Sequence, residues 1–127
     1  MNLNVKFLYA KSFMKQWQAC NLDLKDRDKL EQEICSFLAK MPSNNHGRKF
    51  PGAIIKDTGG AIKYRFTPQK TNKGKSGSYR TIYFTVDKQF KYFMFVNVYP
   101  KSKQESLSDK EKKMLKKFSQ HINELIK

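Results

Sequence analysis

The stretch Ala61-Ile62-Lys63-Tyr64-Arg65-Phe66 alternates apolar and cationic side chains with a period of two. Successive side chains of a strand point to opposite faces, so Ile62, Tyr64 and Phe66 can pack inward while Lys63 and Arg65 project together from the other side. Runs of the same kind, rich in β-branched and aromatic residues, occupy 53–56, 79–86 and 90–99. Gly59-Gly60, a Gly/Lys/Ser loop at 69–78 and Asp87-Lys88 separate them. Strands divided by such turn residues predict an antiparallel sheet.

Outward from this centre the pattern changes period. An apolar-rich segment at 4–10 is consistent with an edge strand, and Leu30, Ile34, Phe37, Leu38 and Met41 then recur at helical spacing, predicting a helix over 25–40. Pro42 and the polar run up to Pro51 form the strongest loop signal of this half. Near the other end, Ser108 and Glu111 have capping-box spacing. Met114, Leu115, Phe118, Ile122 and Leu125 continue from there as an apolar stripe whose intervening lysines read as a solvated face. The expectation is one α+β domain over 1–127: a small antiparallel sheet of four or five strands with a mixed edge, and two or three helices packed on one of its faces.

A chain of 127 residues, 39% hydrophobic, with ten Phe and six Tyr, can fill one core. Its formal net charge of +15 does nothing for compactness, because like charges repel, and points to a polyanionic partner, nucleic acid before anionic lipid. No run approaches the roughly 18 to 20 apolar residues that span a bilayer, and the first residues lack a signal-peptide core, so a cytoplasmic protein without a membrane role is expected. Cys20 and Cys35 lack CxxC or Cys/His spacing and read as buried free thiols. No metal or cofactor is expected.

The charge is unevenly distributed. Between 56 and 103 eleven Lys or Arg face two acids, whereas 22–41 carries five acids and four bases. The loop 69–78 supplies Lys70, Lys73 and Lys75, with Gly74 and Gly77 allowing close backbone approach to an anion. It is not a Walker A loop, since Gln69 stands where that motif needs its first glycine. Arg80 shares strand parity with Ile82 and Phe84 and would point to an apolar side unless a bulge or a rim position re-aims it. Tyr83 and Tyr99 are sheet aromatics or stacking platforms for bases.

Cleavage of RNA by its own 2′-hydroxyl needs a proton acceptor, cations for the charge developing on phosphorus and a donor for the leaving oxygen. The two histidines, His46 in a loop and His121 in the last helix, lie outside the basic centre and do not suit a two-histidine ribonuclease. A lysine crowded by cations can act as a base, making Lys63 or Lys75 the candidate, while an arginine holds phosphate without losing its charge. The same residues would equally suit a binding module without chemistry.

Asp57-Thr-Gly-Gly-Ala-Ile-Lys-Tyr-Arg65, then Lys73-Gly-Lys-Ser-Gly-Ser-Tyr-Arg80-Thr-Ile-Tyr83, then Tyr99-Pro-Lys101 with Leu107-Ser-Asp, resembles the HigB branch of RelE-type toxins over about residues 52–115. The first fifty residues match only in the order of strand and helix. The resemblance implies a RelE-like fold. It also implies a toxin that enters the ribosomal decoding site and cuts messenger RNA there, restrained by a cognate helix-turn-helix, HigA-like antitoxin through which alone it meets operator DNA. It assigns Lys63 and Arg65 to the paired strand cations and Arg80 to the phosphate-holding arginine. Lys70, Lys73, Lys103 and Tyr83 become contacts to RNA or ribosome, and Tyr83 and Tyr99 would line the cleft. The pattern departs at Ile62, where relatives often carry arginine, and at Ser78, which replaces a glycine. Ser102 and Leu107 stand near the positions of a catalytic arginine and tyrosine, leaving Tyr99, Lys101 and Lys103 to take their parts. Two other readings stay open: a ParE-like gyrase inhibitor sharing the fold, and a basic nucleic-acid-binding module without toxicity.

Overall fold

A computed structural model describes residues 5–40, 50–68, 78–87, 91–101, 104 and 106–126; Lys70, Lys73, Lys75, Lys103 and His46 lie outside them. The chain runs β1 (Val5–Tyr9), α1 (Lys11–Ala19), α2 (Leu24–Lys40), β2 (Ala53–Ile54), β3 (Ile62–Phe66), β4 (Tyr79–Asp87), β5 (Lys91–Pro100) and α3 (Asp109–Ile126). The five strands form one sheet in the order β1-β5-β4-β3-β2. β1 pairs parallel with β5, and every other pair is antiparallel. This is the α+β architecture with a mixed edge that the sequence predicts.

The helices are not confined to one face, contrary to the expectation. Phe13 and Trp17 of α1 and Leu30, Ile34 and Leu38 of α2 pack with Ile62, Phe66, Tyr83, Phe93 and Phe95 on one side of the sheet. Leu115 and Ile122 of α3 pack with Ile82, Phe84, Val86 and Val96 on the other. β4 and β5 are buried on both sides, Thr81 and Val98 included, and a strand buried on both faces requires a layer on each. The first layer is largely aromatic: Tyr83 lies 5.1 Å from Phe95 and Phe13 5.4 Å from Trp17, centroid to centroid.

α1 was not legible as a helix, because Ala10 at its N-cap offers no side-chain bond and the element is only nine residues long. Its role is tertiary. Where β1 leaves the sheet, Ala10 N–H donates to Phe95 C=O at 2.9 Å; Ser12 Oγ donates to Val96 C=O at 3.0 Å, and Gln16 Oε1 accepts from Val98 N–H at 2.8 Å. Those bonds finish the edge of β5 where it carries an extra residue: Ile82 pairs with Asn97 and Tyr83 with Phe95, so Val96 is a bulge.

α2 starts where Asp23 and Asp26 cap each other's backbone N–H groups, at 2.9 and 3.0 Å. α3 starts at the expected capping box, with Glu111 N–H donating to Ser108 Oγ at 3.1 Å and Ser108 N–H to Glu111 Oε1 at 2.9 Å. Met114 does not join the stripe of α3 and is 63% exposed. Cys20 and Cys35 form no disulfide among the described residues, and both are half-buried where full burial was expected.

Candidate active site

Three strands bring the site together on the α3 side of the sheet. β3 keeps the alternation read from its sequence: Ile62, Tyr64 and Phe66 join the α1/α2 core, leaving Lys63 half-buried and Arg65 exposed on the opposite face. In register, Arg65 lies opposite Arg80 on β4, and Arg80 opposite Tyr99 on β5. Directly opposed residues share a face, so Arg65, Arg80 and Tyr99 form a row spanning about 10 Å across three strands. Arg80 keeps its parity with Ile82 and Phe84; the bulge lies in β5, and Arg80 escapes the apolar layer because it stands at the open end of β4.

Two features set this row apart from an ordinary solvated face. Like charges directly opposite one another are destabilising, yet Arg65 and Arg80 are paired so, and neither forms an ion pair among the described residues. The Tyr99 hydroxyl and Arg80 Nε are both buried without a hydrogen-bond partner among those residues. An unpaired buried polar atom costs about 1 to 3 kcal/mol. A bound phosphate would offset the like-charge opposition of Arg65 and Arg80.

The surrounding polar groups orient this row. Arg65 donates through Nε and Nη2 to Ser78 Oγ at 3.3 and 3.2 Å, while Ser78 C=O accepts from Lys101 N–H at 3.2 Å. The serine that departs from the family pattern thus ties Arg65 to the backbone of Lys101. Gln104 Nε2 donates to Glu111 Oε1 at 2.8 Å, and the Ser108 and Gln104 bonds hold that carboxyl below its usual range. Burial raises the Tyr99 phenol above its ordinary value; the Arg80 charge opposes this and Glu111 adds to it. Tyr99 is therefore a neutral hydrogen-bond donor at physiological pH.

Beside the row lies a pocket of about 280 Å³. Lys56, Lys63, Lys112 and Tyr99 line it together with β2 and Leu107. A tight turn after β2 carries Lys56, while Ala53 is the register partner of Lys63. Thr58 Oγ1 donates to Ile55 C=O at 2.7 Å and accepts from Ala61 N–H at 3.1 Å, and Asp57, Gly59 and Gly60 all have positive φ. Sequence reasoning counted Lys56 only as charge and left Lys112 among solvated lysines. The usable signal for Lys112 was its spacing, three residues before the buried Leu115 and in line with Phe118 and Ile122. The neighbouring lysines 110, 113, 116 and 117 are exposed as expected.

Tyr83 does not belong to this group. It is 0% exposed on the α1/α2 side, and its hydroxyl donates to Pro51 C=O. Its ring packs between Phe93 and Phe95 and cannot line an RNA cleft, because the sheet itself separates it from Arg80. His121 is exposed on α3.

The family model of the RelE toxin of the RelE / RelB toxin-antitoxin system matches residues 48–127. The chain belongs to the RelE toxin family. It is the toxin of a toxin-antitoxin pair, with an antitoxin as its partner, and the match does not distinguish the HigB branch from others. No curated protein matches its sequence. The matched part holds every element of the toxin from β2 to α3, hence every candidate site residue, whereas β1, α1 and α2 lie before it. No helix of the described residues is long and apolar enough to cross a membrane.

Proposed function

We propose that this toxin is a ribosome-dependent endoribonuclease that cuts messenger RNA during translation. The observation that carries the reading is the Arg65–Arg80–Tyr99 row, a pair of opposed, uncompensated cations next to a buried unpaired phenol, on a RelE-family chain. In this reading Arg65 and Arg80 hold the scissile phosphate, and their charge stabilises the dianionic phosphorus centre formed as the 2′-oxygen attacks. The 2′-hydroxyl proton passes to a lysine, Lys63 or Lys75. The bond from phosphorus to the 5′-oxygen then breaks, leaving a 2′,3′-cyclic phosphate, and Tyr99 or Lys101 supplies the proton to the leaving oxygen.

The ribosome presents the substrate, with Lys70, Lys73 and Lys103 as further contacts to RNA. A HigA-like helix-turn-helix antitoxin is the proposed inhibitor, on the strength of the Gly-Gly-x-x-Lys-x-Arg and Gly-Lys-Ser-Gly-x-x-Arg-x-x-Tyr strands, and the complex would work in the cytoplasm. Mapping RNA ends after brief induction tests the reading. New 5′ ends inside translated codons are expected; growth arrest with intact transcripts would overturn it, and DNA damage signalling in its place would turn the assignment to gyrase.

A further inference from the structure

The pocket beside the arginine row has its own unbalanced charge. Lys63 and Lys112 are half-buried, Lys56 stands at the rim, and none of the three forms an ion pair among the described residues. Three lysines line one pocket with no carboxylate among its lining residues, and Glu111, next to Lys112 on α3, is already engaged by Ser108 and Gln104. The pocket is thus prepared for an anion from elsewhere. Its walls come from β2 and the turn after it, β3, β5, and the start of α3 with the residues just before it.

We infer that Lys56, Lys63 and Lys112 seat the RNA phosphate adjacent to the one held by Arg65 and Arg80, and that Lys112 is a binding residue. This rests on the nuclease reading for its substrate class, RNA, and extends it by a second phosphate position. Lys63 and Arg65 are two residues apart on one strand, about 7 Å, which is commensurate with neighbouring phosphates on a single strand. Both residues lie on the face that carries Arg80 and Tyr99, so a strand leaving the arginine row along β3 meets Lys63 first and then Lys112 and Lys56 at the pocket. Tyr99 lines the pocket and is the register partner of Arg80, so one residue borders both phosphate positions.

The test uses the full chain and a fluorescein-labelled 2′-O-methyl trinucleotide, which cannot be cut because its 2′-oxygen is blocked. Binding is followed by fluorescence anisotropy across a salt series. Lys112→Gln should weaken binding about tenfold and flatten the salt dependence by roughly one phosphate contact, with Lys112→Arg close to wild type. Lys113→Gln, which removes the same charge from the exposed neighbour, should stay within about twofold. Lys56→Gln, at an exposed turn position, should follow Lys112→Gln and carries the test if that variant folds poorly. Equal weakening by Lys112→Gln and Lys113→Gln, or none by Lys112→Gln, overturns the assignment. Since the probe is never cleaved, loss of the nuclease reading leaves this comparison intact; cleavage with indistinguishable variants removes only the second phosphate position.

Discussion

Single atoms distinguish the tyrosine proposed for the site from a structural one in this sheet. Tyr99 carries a buried hydroxyl with no partner among the described residues, and Tyr83 one that donates to Pro51 C=O. Tyr99→Phe removes an unsatisfied group and should leave stability unchanged or raise it by about 1 kcal/mol, while RNA cleavage falls. Tyr83→Phe removes a satisfied group and should lower stability by about 1 kcal/mol with cleavage retained by the folded fraction. Denaturant midpoints and cleavage rates of the two variants, measured side by side, check the contrast; the same sign for both would refute it. Arg80→Ala and Arg65→Ala should each cut the cleavage rate on the order of a hundredfold with the fold intact, as expected for loss of one charge-stabilising donor. Wild-type toxicity in both would remove the row from the site.

At the scale of elements, the β2–β3 hairpin and α3 decide where the cations stand. Gly52 has φ +105, and a Cβ there would sit 2.4 Å from the carbonyl oxygen of Lys63. Gly52→Ala should therefore cost more than about 2 kcal/mol and displace β3 at Lys63, lowering both the urea midpoint and RNA binding. The alternation of β3 was legible because a two-residue period belongs to the strand alone, and the capping box of α3 because it is a contact between residues three apart. α1 was not legible, because what stabilises it is the edge of β5, more than eighty residues away. Tyr83 was ambiguous for a related reason: alternation assigns it a face without saying that α1 and α2 cover that face.

Across the whole molecule, the aromatic layer imposes a pH limit. Burial raises the phenols of Tyr9, Tyr64 and Tyr83, with Tyr9 and Tyr64 pushed further by their bonds to Glu31 and Glu33. Their folded pKa values thus exceed the unfolded value of about 10, so well below that pH the folded and unfolded chains hold these protons equally. Above it the unfolded chain releases them first, and stability should fall as pH rises. Urea midpoints at pH 8, 9.5 and 10.5 should fall slightly between the first two and further at the third; a level profile to 10.5 would refute the burial of these phenols. By itself the sequence determined the strand alternation that puts Lys63 and Arg65 on one face, the caps, the charge excess and the family, all of which depend on neighbours in the chain. Only the tertiary structure decided that helices cover both faces, that Arg80 aligns with Arg65 and Tyr99, and that Lys112 turns into the pocket. Those facts depend on strand register and on which layer lies over which face, and long-range packing sets both.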